Sequence, residues 1–257
     1  GIGGGKMTEL GLVSLFPMEE ISLMGLAEII PHLPRLLKRI KQTISDVLHQ
    51  RPDMLLSIDS PGFCFHIAKK LKGKNIKLVH YVAPSVWAWK PGRAQKVAGF
   101  LDLLLVLLPF EPPYFEQVGL ATTFVGHSVV EGGADKGDGK GFRKRHNIDT
   151  QATVMVMLPG SRRGEVNRLL DVFGRTAIYL SKDHPDITIV IPAFGPLFET
   201  ISDGVKQWPV DVRIVEGDKE KFDAFAAADI ALAASGTVSL ELAMAGTPTV
   251  IGYKVHP

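Results

Sequence analysis

Val154-Met-Val-Met-Leu158-Pro-Gly-Ser-Arg162-Arg-Gly-Glu165 decides how this chain is to be read. An unbroken apolar run such as Val154 to Leu158 is what a strand buried on both faces requires. Pro159 and Gly160 stop it. From Glu165 onward Val166, Leu169, Leu170 and Phe173 recur at three- and four-residue intervals, the spacing of one helix face. Gly160-Ser161-Arg162-Arg163-Gly164 is therefore a strand-to-helix turn. It offers backbone N–H groups, the positive end of a helix dipole and two guanidinium side chains, all suited to an anion such as a diphosphate. Taken alone, the stretch reads equally well as an ordinary loop with two solvated arginines.

The same alternation continues on both sides. Upstream, strands are expected at Met54–Ile58, Lys77–Val82, Leu101–Leu108 and Ala121–Val125, with helices at Phe63–Leu71, Gly92–Gly99 and Pro112–Val118 between them. Downstream of the opening stretch, strands are expected at Ile187–Ile191, Val210–Val215, Ile230–Ala234 and Pro248–Tyr253. The helices there are Glu165–Lys182, Leu197–Trp208, Lys219–Ala227 and Thr237–Ala245. Alternation of this kind argues an α/β fold with parallel, doubly wound sheets. Two Rossmann-like domains are expected, 1–130 and 131–257. Gly132 to Gly141, with five glycines, reads as a mobile connection between them. Ligands of such sheets bind beyond the carboxyl ends of the strands, which predicts chemistry in a cleft between the domains.

Before the first of these strands, Pro31 and Pro34 are expected to break an apolar stretch into helices Ser22–Ile30 and Pro34–Gln50. Leu36, Ile40, Ile44 and Val47 make one stripe of the second, flanked by Arg35, Lys38, Arg39 and Lys41. Ile29, Ile30, Leu33 and Leu37 are surplus to that stripe and lie close to the cations. Apolar surface beside basic charge suits a segment lying on an anionic bilayer, and it equally suits two buried helices with snorkelling lysines.

The totals narrow the class. The chain has 257 residues, 46% of them hydrophobic and 22% charged, which is ordinary for a globular protein with real cores. A net charge of +2 gives no argument for nucleic acid. Cys64 is the single cysteine, so no internal disulfide can form, and no His/Cys spacing suggests a metal. No apolar run approaches the roughly 20 residues of a membrane span. Gly1-Ile-Gly-Gly-Gly5 is neither a dinucleotide fingerprint nor a P-loop, since Lys6 and Met7 stand where Gly and Ser or Thr are needed. The start, without Met, and the end directly after an apolar strand both read as cut.

Other residues can carry chemistry. Ala234-Ser235-Gly236-Thr237 is a second strand-to-helix turn, with Glu241 placed where a ribose would sit if phosphates met the turn; a plainly capped helix is the alternative. Asp59 ends a strand and suits a general base on a hydroxyl, or a helix N-cap before Pro61. Ser85, Trp87, Trp89 and Arg93 belong to another loop at the expected cleft and suit a sugar or acyl-phosphate, or packing. His127 stands at the domain junction.

Assembled, these blocks resemble the lipid-A-disaccharide synthase family of GT-B glycosyltransferases. The likeness is carried by Phe16-Pro-Met-Glu-Glu20, Ile58-Asp-Ser-Pro61 and His80-Tyr-Val-Ala-Pro-Ser-Val-Trp-Ala-Trp89. It continues in Leu108-Pro-Phe-Glu-Pro112, Phe124-Val-Gly-His127, Leu158-Pro-Gly-Ser-Arg162 and Ala234-Ser-Gly-Thr237. The resemblance implies transfer of 2,3-diacylglucosamine from UDP to the 6-hydroxyl of lipid X, which is 2,3-diacylglucosamine 1-phosphate. It implies inversion at the anomeric carbon, release of UDP, and no bound metal or cofactor. It makes Asp59 the base and puts Gly160, Ser161, Arg162, Ser235, Gly236 and Thr237 on the diphosphate. Glu241 would then meet the ribose, with Ser85, Trp87, Trp89, Arg93 and His127 on the acceptor side. It makes Ala27, Ile29, Ile30, Leu33, Arg35, Leu36, Leu37 and Lys38 a docking surface on the anionic inner membrane, so the enzyme would be cytoplasmic and peripheral. A homodimer is compatible with it.

Three departures stand out. Ser60-Pro-Gly62-Phe-Cys64 replaces the family's usual Ala-Pro-Asp-Phe-Asn, Ser128 replaces a proline, and the family's first strand and C-terminal portion lie outside the chain. The chain alone is therefore expected to be inactive or marginal. The alternatives are a UDP-sugar epimerase, a peptidoglycan N-acetylglucosaminyltransferase, or an inactive nucleotide- or membrane-binding fragment.

Overall fold

The structure, a computed structural model, describes residues 1–21, 26–195 and 197–254, and within its longest helix the side chains from 31 onward. The chain divides into two compact units, Gly1–His127 and Ser128–Pro257. Each is taken by itself.

Unit 1 holds helices α1 (Gly5–Glu9), α2 (Leu26–Gln50), α3 (Pro61–Leu71), α4 (Arg93–Ala98) and α5 (Pro112–Glu116). Its strands β1 (Met54–Ile58), β2 (Lys77–Tyr81), β3 (Leu103–Val106) and β4 (Thr122–Phe124) form one parallel sheet in the order β1-β2-β3-β4. The core is one-sided. Ile40 and Val47 of α2, Phe63, Ile67 and Leu71 of α3, Val97 of α4 and Phe115 of α5 pack with Leu78, Leu104 and Val106 of the sheet. By strand alternation Met54, Leu56 and Ile58 point to the other face, where each is about half exposed.

The expected break at Pro31 and Pro34 does not occur: α2 is continuous through both. Each proline forfeits its own N–H bond and crowds the carbonyl four residues back, yet the helix runs on into the stripe Leu36, Ile40, Ile44 and Val47, whose packing on the core offsets that cost. The expected helix Ser22–Ile30 lies partly outside the described residues. Leu36, half-buried, packs against the core with the rest of that stripe. Arg39 is likewise engaged, with Nε and Nη2 donating to the two carboxylate oxygens of Glu20 at 2.8 and 2.7 Å over the ring of Phe16.

Unit 2 is doubly wound. Its strands β5 (Val154–Leu158), β6 (Thr188–Pro192), β7 (Asp211–Val215), β8 (Ile230–Ala234) and β9 (Thr249–Gly252) are parallel, in the order β7-β6-β5-β8-β9. One face is covered by α7 (Arg163–Leu180), through Val166, Leu169, Leu170 and Phe173, and by α8 (Leu197–Val205). The other is covered by α6 (Gly139–Arg145), α9 (Asp218–Ala227) and α10 (Val238–Met244). Every residue of β5 and β6 is buried, as continuous apolar strands between two helix layers must be.

The glycine-rich stretch 132–141 is packed, which corrects its reading as a loose connection. Ala134–Lys136 is a 3-10 turn and α6 starts at Gly139, with the Asp138 carboxylate capping it on Gly141 N–H. A Cβ on Gly137 would lie 2.1 Å from the Phe222 carbonyl oxygen, and one on Gly139 would lie 2.4 Å from that of Ala226. These glycines let the chain lie flat on α9. Asp223 of α9 fastens the contact by accepting from Asp138 N–H at 2.7 Å and from Arg145 and Lys219, both at 2.6 Å. Burial opposes its charge, yet those donors hold the Asp223 carboxyl down at about 2.

Candidate functional site

In unit 2 the strand order reverses between β5 and β8, which lie side by side with Leu158 opposite Ala233. A doubly wound sheet binds its ligand at such a point. The loops leaving these strands are Gly160-Ser161-Arg162 and Ser235-Gly236-Thr237, so six of the residues picked from sequence are brought to one crevice edge. Gly160 has φ +129, a conformation that side chains other than hydrogen rarely adopt. Arg162 is the N-cap of α7 without a side-chain cap bond. Glu165 supplies the cap instead. Its Oε2 accepts Ser161 N–H at 2.9 Å and its Oε1 accepts Arg162 Nη1–H at 3.0 Å, folding the carboxylate over the turn. In the second loop neither Ser235 nor Thr237 caps α10 through its side chain, contrary to the capping expectation. Ser239 Oγ donates to Gly236 O at 2.7 Å, and among the described residues no backbone acceptor takes the N–H groups of Ser235, Gly236 and Thr237.

Glu241 is one-fifth exposed on α10 and is held by Lys221 Nζ at 3.0 Å. Lys221 did not figure in the sequence reading. It lies 20 positions away on α9, and nothing in the spacing marks it.

In unit 1 the carboxyl ends of β1 and β2 are strained. Asp59 and Ser60 have φ +48 and +45, and Val82, a β-branched residue, has φ +83. Such conformations cost on the order of 1–3 kcal/mol each and cluster at functional sites. Asp59 is exposed, its N–H donating to Tyr81 O at 2.9 Å. It is not the helix cap: Ser60 holds that position before α3. The loop after β2 turns on Ser85, whose carbonyl accepts from Ala88 and Trp89 N–H. Trp87 Nε1 donates to Glu111 Oε1 at 3.4 Å, and its ring meets Phe110 edge-on at 5.4 Å. Glu111, 4% exposed, also accepts the N–H groups of Leu107 and Leu108 at 3.1 and 2.9 Å, tying the loop after β3 to the tryptophan. Trp89 is open to solvent with the Lys90 ammonium 4.1 Å above its ring, and Arg93 is half-buried at the start of α4. Asp59, Ser85, Trp87, Trp89 and Arg93 thus follow neighbouring strands. His127 does not join them, since it follows β4 at the far edge of the sheet.

Beneath Asp59 lies a polar pair absent from the sequence reading. His80 Nδ1 is 2.8 Å from Ser57 Oγ in the strand register that pairs the two residues. Burial pulls His80 down to about 4, against the nearby Asp59 charge that raises it. Burial, with the same charge adding to it, pushes the Cys64 thiol up to about 11, so it stays protonated. Among the described residues no cluster of His, Cys, Asp or Glu could hold a metal, and no helix is long and apolar enough to cross a membrane.

Comparison with known proteins agrees with this architecture. The Staphylococcus aureus MnaA–UDP co-structure superposes with a TM-score of 0.65 at 14% identity, over 95% of this chain and 67% of that one. The UDP-GlcNAc 2-epimerase from Neisseria meningitidis bound to UDP-GlcNAc gives 0.63 at 13%, over 95% and 70%. At such identities the likeness shows the fold alone, two Rossmann-like units of the GT-B type. Sequence goes further. The lipid-A-disaccharide synthase of Rhodospirillum centenum is 57% identical over 259 residues, taking in all of this chain and 65% of that protein. The chain spans 62–66% of the length of the curated relatives it matches. A family model described as Lipid-A-disaccharide synthetase matches residues 1–257. From first residue to last, then, the chain belongs to the lipid-A-disaccharide synthetase family.

Proposed function

We propose that the protein to which this chain belongs transfers 2,3-diacylglucosamine from UDP to the 6-hydroxyl of lipid X, forming the β-1,6-linked lipid A disaccharide and releasing UDP. The observation that carries the reading is the pair of anion-ready turns on adjacent strands at the reversal of the unit 2 sheet. In this reading the diphosphate lies against Gly160, Ser161, Arg162, Ser235, Gly236 and Thr237. Arg162 offsets the charge that builds on the departing UDP, the work a metal does in other transferases. Glu241 meets the ribose. Unit 1 takes the acceptor. Asp59 accepts the proton of the acceptor hydroxyl as its oxygen attacks the anomeric carbon from the side opposite UDP, which inverts that centre. Trp87, held by Glu111, and Trp89 supply apolar faces for the sugar, and Ser85 and Arg93, on the same side of the sheet, supply polar contacts; His127, past β4 at the far edge, stays outside this group.

Both substrates carry acyl chains and stay in a membrane, so the enzyme works at the cytoplasmic face of the inner membrane as a peripheral protein. Leu33 and Leu37, 45% and 48% exposed one helical turn apart on α2, form the docking surface with Arg35 and Lys38. The side chains of Ala27, Ile29 and Ile30, assigned to the same surface, lie outside the described residues.

The test is disaccharide formation by the whole protein beside its Asp59→Asn and Arg162→Ala variants. Each should lose at least about 100-fold in kcat. Variants as active as the parent would dismiss the assigned roles, and UDP released without disaccharide would favour an epimerase or hydrolase.

A further inference from the structure

Lys221 has no task in the scheme above, yet it is among the most constrained cations in unit 2. Its side chain is 12% exposed. The ammonium sits 3.0 Å from Glu241 Oε1 and 3.6 Å from Asp218 Oδ1, over the ring of Phe222 at 4.5 Å and near that of Phe194 at 5.7 Å. Those partners come from α9, α10 and the loop after β6, three elements that meet at the carboxyl end of the sheet. Fixing a lysine side chain costs rotamer freedom, and an ion pair on open surface returns little of it. Here the acid is also mostly covered, so the pair is held in one geometry.

The arrangement is asymmetric. Lys221 takes Oε1, and among the described residues no hydrogen bond reaches Oε2. An ionised carboxylate only accepts, and a cation on one oxygen fixes the plane in which the other presents its lone pairs. Two neighbouring hydroxyl groups of a ribose are donors of the matching kind. We propose that Lys221 is a positioning residue: it aims Glu241 at the ribose hydroxyls of the bound nucleoside diphosphate and thereby sets the preference for ribose over sugars lacking those hydroxyls. The proposal rests on the reading that this crevice holds UDP.

Equilibrium binding of UDP and of 2′,3′-dideoxyuridine diphosphate to the full chain separates the two ideas. The parent should prefer UDP by about tenfold or more, the ratio expected when donors to a charged acceptor are removed. Lys221→Met should bring the ratio close to one while leaving affinity for the dideoxy compound unchanged, and Lys221→Arg should keep the preference. Lys221→Gln serves if circular dichroism shows the methionine variant unfolded. An unchanged ratio in a folded Lys221 variant overturns the role of Lys221 and leaves the UDP reading standing. An equal loss for both ligands also overturns it, because that is the mark of a merely structural residue. Failure of the parent to bind UDP overturns the reading itself and the proposal with it.

Discussion

Acidification should destabilise unit 1 through one residue, His80. The ring is fully buried in β2, edge-on to Phe65 at a centroid distance of 4.7 Å. Ser57 Oγ lies 2.8 Å from His80 Nδ1 and 3.2 Å from Val79 O, so the ring is held by one short polar contact. Nε2 is buried and has no hydrogen-bond partner within bonding distance among the described residues. A proton there would place a charge in the core, which is why burial lowers the group from 6.5 to about 4. In the unfolded chain the ring titrates near its ordinary value, about 6.5. Between those values the unfolded state holds a proton that the folded state lacks. Stability therefore falls as pH drops through the window from 6.5 to 4 and is level above it. The span of about 2.5 units corresponds to at most about 3 kcal/mol. Hydrogen exchange of β2 amides, read by mass spectrometry at pH 7.5 and 4.5 after correction for intrinsic rates, follows unit 1 separately from unit 2. His80→Gln keeps a polar amide beside Ser57 without a titrating group and should lose most of the acid sensitivity. Equal acid sensitivity in parent and variant would show that carboxylates elsewhere, not this imidazole, carry the effect.

Gly137→Ala should destabilise unit 2 by about 1–3 kcal/mol, because the new methyl meets the Phe222 carbonyl of α9; a urea midpoint within error of the parent would remove the packing argument. Replacing Leu33 and Leu37 together with Ser should release the protein from vesicles containing anionic lipid while leaving its thermal midpoint in place, since both side chains are about half exposed. Sedimentation with vesicles checks this, and undiminished binding would end the docking proposal.

The strand-end turns were legible because their signal is local: a long apolar run, then Pro-Gly or Ser-Gly, then a three-and-four spacing. The stripe Val166, Leu169, Leu170 and Phe173 lies buried as that spacing requires. Composition misled where one residue type serves two purposes. Glycines 137 and 139 looked like a flexible connection, but they are small because α9 passes against them. Prolines 31 and 34 looked like a stop, but the packed stripe downstream keeps α2 whole. The partners that tune the sites were out of reach for a different reason. Lys221 with Glu241, His80 with Ser57 and Glu111 with Trp87 are each joined across 20 or more positions of sequence. No short motif encodes such pairings; only the strand order and the helix packing bring them together.

The carboxylate of Glu165 has a consequence for which anions the first turn admits. Any guest seated on Ser161 N–H must first dislodge an acid that is already tethered there and already neutralised by Arg162. Chloride or acetate, singly charged and free in solution, would be competing against an equal that never diffuses away. A diphosphate brings more charge and several oxygens at once, so it can satisfy both donors together and leave the displaced acid to water. At the proposed UDP site, the tethered Glu165 would favour a diphosphate over singly charged small ions.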